Sequence, residues 1–133
     1  QIQTMQRYPW GEAWLTGDRA EADLGNFGHS VGHLTPVNAY AAGVSPLGCA
    51  DLLGNVWEWT STHFQGYPGF QPFPYAGYSQ AYFADPHYVL RGGSWVTRPW
   101  GLRASFRNWY HPHIRQIFAG FRCAVDGGEL SPS

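Results

Sequence analysis

Glycine and proline, 17 and 10 of the 133 residues, recur along the whole chain and set the terms on which it can fold. Each interrupts regular structure, glycine through its backbone freedom and proline through its fixed φ and missing N–H. Between these breakers stand large rings, since Phe, Trp and Tyr make up 17% of the residues. The combination predicts an irregular fold that packs aromatic rings between many turns, not a helical bundle. At this length one domain with one core is expected, burying roughly two-thirds of the unfolded surface.

Charge excludes several partners. A formal net charge of -1 provides no basic field for a phosphate backbone or an anionic bilayer, so neither nucleic acid nor membrane is an expected partner. All 8 basic residues are arginines, planar forks suited to bidentate carboxylate contacts and to stacking on aromatic rings. No apolar run reaches the length of a membrane span, and Gln1 to Tyr8 has no signal-peptide character. The two cysteines, Cys49 and Cys123, are too few for a disulfide scaffold and suit buried, reduced thiols in a cytoplasmic protein. The sequence lacks an initiator Met and enters at once into a turn at Tyr8-Pro9-Trp10-Gly11, as a fragment or processed chain would.

Along the chain, Tyr8 to Val37 reads as loops wrapped over a core, broken at Gly11, Gly17, Gly25, Gly28 and Gly32. A short helical turn is expected within Ala41 to Gly54. Asn55 to Thr60, NVWEWT, alternates with period two and predicts a strand with large rings on one face. Gly66 to Tyr82 is a loop rich in Gly, Pro and aromatics, longer than a connector needs to be, and therefore a candidate functional segment. Tyr88 to Trp95 predicts a strand that breaks at Gly92-Gly93. Ile117 to Val125 predicts a closing strand.

Six pieces in order, YPWG (Tyr8 to Gly11), PV (Pro36-Val37), SPLG (Ser45 to Gly48), GNVWEWT (Gly54 to Thr60), LRGGSW (Leu90 to Trp95) and GFRCA (Gly120 to Ala124), resemble the formylglycine-generating-enzyme-like superfamily over nearly the whole chain. The resemblance implies an α+β domain with a C-type-lectin-like core, loop-rich with short antiparallel strands. The oxidising enzyme of that superfamily binds copper through a pair of cysteines shortly after GGS, a soft ligand set suited to Cu(I). The corresponding stretch, Trp95 to Phe106, holds no cysteine, which argues against copper-dependent formylglycine formation. Arg107 to Phe118, RNWYHPHIRQIF, instead resembles the RNW-x-x-P-x-x-R-Q-I-F segment of ergothioneine-biosynthesis sulfoxide synthases. The loop from Tyr67 through Pro74-Tyr75 to Tyr78-Ser79 is similar to theirs as well.

That likeness implies a substrate-binding domain of an enzyme that joins trimethylhistidine to the thiol of cysteine or γ-glutamylcysteine, using O2. It also implies Fe(II) held by three histidines of an N-terminal helical domain outside this chain. Arg107, Asn108, Trp109, Tyr110, His111 and Arg115 are then the expected substrate-binding residues. In members that use γ-glutamylcysteine an Asp follows the Asn-Trp pair and an Arg sits four residues beyond it; here Tyr110 and Ile114 stand at those places, which leaves the thiol open and admits free cysteine. The alternative is that Arg107 and Arg115 stack on tryptophans and pair with structural carboxylates. Tyr75 and Tyr78 are the expected catalytic phenols, able to donate a proton or hydrogen atom near an iron-bound oxygen species; the alternative places them in an aromatic core.

Residue chemistry bears on other metal sites. His29 and His33 stand four apart, but Gly28 and Gly32 put them on a loop, not a helical metal face. His111 and His113 would share a side of an extended strand, as substrate-contacting or exposed imidazoles. Asp51, Gly54, Val56 and Glu58 align with a calcium site of the superfamily, supplying two side-chain oxygens and two carbonyls for a structural Ca2+; Glu58 could equally pair with an arginine. A second functional class also fits the scaffold: the variable ligand-binding proteins of diversity-generating retroelements, displaying Trp100, Asn108, Trp109, Tyr110, His111 and His113 without catalysis.

Overall fold

The computed structural model describes residues 6–14 and 23–125. Its centre is a four-stranded sheet in the order β3-β2-β1-β4, comprising β1 (Trp57–His63), β2 (Tyr88–Arg91), β3 (Asn108–Tyr110) and β4 (Ala119–Gly120). β1 pairs antiparallel with β2 through Glu58↔Arg91, Trp59↔Leu90 and His63↔Tyr88, with an irregularity between Trp59 and His63. β3 pairs antiparallel with β2, and β4 runs parallel to β1. Among the described residues helical structure comprises 3-10 turns at Ala41–Gly43 and Pro99–Gly101, a single-turn helix, α1 (Ala76–Ser79), and a 3-10 conformation at Asp23. Small mixed sheet, short helices and long loops together make the expected α+β, C-type-lectin-like class.

Successive residues on a strand point to opposite faces. In β2 the adjacent Val89 and Leu90 are both buried, Leu90 completely, so this strand is covered on both sides. A core of Leu24, Phe27, Leu53 and Leu102 lies where the early loops meet the residues after β2, with Tyr8, Trp10, Trp14 and Ala42 packed against it. The first third is loop in its described part, as expected, apart from a 3-10 conformation at Asp23; Gly17 lies outside the described residues.

The strand predicted from Asn55 begins instead at Trp57, because Asn55 has φ 60 and leaves extended backbone. Asn55 serves as a junction. Its N–H donates to the Asn26 carbonyl (2.7 Å) and its carbonyl accepts from Trp95 N–H (2.9 Å). Its side-chain oxygen accepts from Thr35 N–H (3.1 Å), and its amide donates back to the Thr35 carbonyl (3.1 Å). Gly54, at φ +87, donates to the Gly92 carbonyl (2.9 Å) and passes so close to Asn26 that a Cβ would lie 2.4 Å from its carbonyl oxygen. Three loops and the end of β2 are therefore tied through two residues of the GNVWEWT segment.

The break after β2 at Gly92-Gly93 falls where predicted, both residues having positive φ. The closing strand is shorter than Ile117 to Val125: only Ala119–Gly120 pairs, and Phe121 to Val125 are exposed, so no second layer holds them extended. The cysteines also correct an expectation, since Cys49 and Cys123 are both free and exposed, not buried. Cys49 closes a surface turn in which Ser45 N–H donates to the Cys49 carbonyl (3.0 Å), and that geometry holds it outside the core. Among the described residues no helix is long and apolar enough to cross a membrane.

Candidate functional site

Aromatic side chains gather at the β3 edge of the sheet. Phe64, just past β1, is fixed by its N–H donating to the His87 carbonyl (2.8 Å), which ties the end of β1 to the start of β2. Trp109 on β3 stacks on Phe64 with centroids 4.2 Å apart and planes at 11°. Phe83 meets Phe64 and Phe70 edge-on, both at 5.3 Å. Tyr82 meets His87 edge-on (5.4 Å) and Trp109 at a tilt (5.6 Å). Each pair of Phe, Tyr or Trp rings contributes about 0.5–1.5 kcal/mol beyond area burial, and Phe70 and Tyr82 tether the long Gly66 to Tyr82 loop to this cluster.

The Arg107 guanidinium lies over the rings of Tyr67 (4.0 Å) and Phe64 (4.9 Å), and its Nη1 donates to the Gln65 carbonyl (2.8 Å). Its stacking partners are thus Phe and Tyr, not tryptophan, and its hydrogen bond goes to a carbonyl. Nε and Nη2 keep no hydrogen-bond partner among the described residues, which leaves one edge of the fork for an incoming carboxylate. Asn108 turns its side-chain oxygen back to accept from Trp109 N–H (2.9 Å), and Tyr110 pairs across the ladder with Tyr88. Arg115 is exposed and makes no hydrogen bond or ion pair among the described residues.

Tyr75 immediately precedes α1 and Tyr78 lies within it, 64% and 68% exposed, their rings 6.0 Å apart. Neither phenol has a hydrogen-bond partner among the described residues. They are therefore not core side chains, and they meet each other, not the Phe64–Trp109 stack.

Behind Trp109 lie residues that sequence reasoning passes over. His87 is 6% exposed, and its Nδ1 is buried without a partner. Its ring lies 3.9 Å from that of His111, which in turn stacks on His113 at 5.3 Å and 15°. Ligand-capable atoms of Asp85, His87 and His111 all lie within 4.8 Å of one another. The available signal was Asp85 and His87 on either side of Pro86 just before β2, a segment the structure closes as a tight turn with His87 N–H donating to the Asp85 carbonyl (2.7 Å). His29 and His33 stay on a loop, as expected, with His29 edge-on to Trp95.

At the Asp51 to Glu58 turn, Glu58 is held by Arg122, whose Nε donates to both carboxylate oxygens (2.9 and 2.8 Å) and whose Nη2 adds a third, short contact. Nη2 also donates to the Ala50 carbonyl (3.0 Å). Asp51 Oδ2 is buried without a partner, as an oxygen suited to a hard cation would be. Glu58 as arranged does not fit one, since an ion would have to displace the guanidinium. Burial lifts the Asp51 carboxyl above its ordinary value, against the lowering effects of the Asn38 backbone and Arg122. A carboxyl raised on folding favours the folded state at pH below both of its values, and that contribution is lost as pH rises through the unfolded value of 3.8 towards the folded one. In calcium-free buffer Asp51→Asn should therefore gain stability relative to wild type on going from acid to neutral pH, measured as the difference between urea midpoints. A difference that does not change with pH would contradict this.

A groove of about 460 Å³ opens elsewhere, lined in part by Tyr8, Pro46, Leu47, Cys49, Leu53 and Arg91, and it includes none of the predicted site residues.

Residues 3–127 match the family described as the sulfatase-modifying factor enzyme 1-like domain. Hercynine oxygenase of Mycobacterium tuberculosis is 49% identical over 121 residues, an alignment covering 91% of this chain and 27% of that protein. Ergothioneine biosynthesis protein 1 of Neurospora crassa is 35% identical over 109 residues, covering 80% of this chain and 12% of that protein. The inactive C-alpha-formylglycine-generating enzyme 2 of Bos taurus is 31% identical over 141 residues, 92% of this chain and 38% of that protein. The chain thus spans about a quarter of the length of the hercynine oxygenase it resembles.

Proposed function

The chain belongs to the sulfatase-modifying factor enzyme 1-like family, and on that premise we propose that it forms the C-terminal substrate-binding domain of an iron- and O2-dependent sulfoxide synthase of ergothioneine biosynthesis. The reaction joins a cysteine-type thiol to trimethylhistidine, the betaine also called hercynine. The observation that carries this reading is the 49% identity to a hercynine oxygenase over 91% of the chain. Relatives named for an oxygenase and for ergothioneine biosynthesis favour it over the variable ligand-binding module.

Iron held by histidines of the preceding helical domain would activate O2 and bring thiol and imidazole together. The ligands of that iron are assigned to that other domain on the resemblance to the sulfoxide synthases. This chain's own part is to bind, orient and donate. Arg107, clamped between Tyr67 and Phe64, offers its free edge to a substrate carboxylate. The exposed aromatic faces around Trp109 suit a trimethylammonium group through cation–π attraction, worth about 0.5–1 kcal/mol exposed and more when desolvated. Tyr75 or Tyr78, its phenol unengaged, supplies the proton or hydrogen atom that commits the thiol to C–S bonding. Tyr110 and Ile114, in place of an acid and an arginine, favour a smaller thiol such as free cysteine.

The full-length protein, reconstituted with Fe(II), O2, trimethylhistidine and either cysteine or γ-glutamylcysteine, should form the sulfoxide, read by mass spectrometry. Turnover with cysteine should exceed that with γ-glutamylcysteine, and absence of sulfoxide with either thiol refutes the proposal.

A further inference from the structure

We propose that Asp85, His87 and His111 form a binding site for a divalent first-row transition-metal ion, built from this chain's residues alone. Two independent observations carry it. The first is geometric: one carboxylate and two imidazoles bring ligand atoms within 4.8 Å of one another, from where small side-chain rotations bring them within the roughly 4.4 Å that two metal–ligand bonds of about 2.2 Å can span. The second is the buried Nδ1 of His87, left without a partner in a ring 6% exposed. Buried polar atoms are otherwise hydrogen-bonded, and an unsatisfied one needs a reason. A coordinated cation supplies one.

The donor set fixes the class of ion. Imidazole suits zinc, cobalt, nickel, copper and iron, while calcium and magnesium would want more oxygen than one carboxylate offers. Asp85 is exposed and His111 half-buried, so the ion has a path from solvent. The site sits across the β2–β3 ladder: His87 precedes Tyr88, His111 follows Tyr110, and those two neighbours are register partners. An ion there would pin the short β3 strand, and with it Trp109 and Arg107, to the longer sheet. Nothing that supports the site rests on the reaction proposed above, and the site can be tested without turnover.

The test compares metal-stripped full-length protein with Asp85→Asn and His111→Gln, so that sites contributed elsewhere cancel. Asp85 is exposed and both changes keep side-chain size, so the metal-free variants should match wild type in circular dichroism and in melting temperature. Co(II) titration, followed by its visible absorption, should show wild type binding one more equivalent than either variant, or binding at least about tenfold more tightly. Zn(II) should raise the melting temperature of wild type by several degrees more than that of the variants, because an ion bound only to the folded state stabilises it. Equal stoichiometry and equal affinity in wild type and Asp85→Asn would overturn the site, as would a zinc-induced shift that survives in both variants.

Discussion

Gly54→Ala should lose about 2–5 kcal/mol of stability, much of what a domain of this size possesses. Two costs combine. The new side chain would sit at φ +87, a left-handed conformation that costs an L-residue roughly 1–2 kcal/mol. Its Cβ would also lie 2.4 Å from the Asn26 carbonyl oxygen, and that oxygen cannot retreat freely while it accepts from Asn55 N–H at 2.7 Å. Such overpacking costs typically about 1–3 kcal/mol and occasionally more. Gly48→Ala separates the two costs, because Gly48 has φ +80 but nothing within 4 Å of where a methyl group would sit; it should lose only about 1–2 kcal/mol. Urea midpoints for the two variants would decide. If Gly54→Ala costs no more than Gly48→Ala, the close approach to Asn26 contributes nothing.

Arg107→Ala should raise KM for the carboxylate-bearing substrate by about 10- to 100-fold while leaving kcat within a few-fold. A hydrogen bond to a charged group contributes roughly 1.5–3 kcal/mol, and each 1.4 kcal/mol is tenfold in affinity. Arg107→Lys keeps the charge but not the planar fork that stacks on Tyr67 and reaches the Gln65 carbonyl, so it should recover only part of the loss. A purely structural arginine would behave differently: its removal would lower the melting temperature and the amount of active enzyme, with KM unchanged. Steady-state kinetics on full-length protein, varying each substrate in turn, separates the outcomes and identifies which substrate Arg107 holds.

What could be read from sequence follows the range of the forces involved. β1 announced itself because the alternation of NVWEWT is local, and the end of β2 because paired glycines seldom continue a strand. β3 did not: three residues at a sheet edge carry no period, and only pairing with β2 defines them. Asn55 looked like strand because its identity does not reveal that it bonds to Asn26 and Thr35, far off in the chain. The segment from Arg107 to Arg115 came from family resemblance, and the structure places Arg107, Trp109 and His111 at one edge. Asp85 and His87 escape notice because their partner, His111, is brought near only by the ladder. Glu58 had two readings from sequence, and the structure puts Arg122 against it.

The Asn55 junction has an evolutionary consequence. The residues that lock the loops together, Asn26, Thr35, Gly54, Asn55, Gly92 and Trp95, are none of those proposed to touch substrate. Substitutions on the short outer strand and the loop beyond it, such as those at Tyr110 and Ile114, can therefore accumulate without loosening the frame. A lineage could exchange one thiol for another through a few surface changes, while the residues that preserve its shape remain under separate selection.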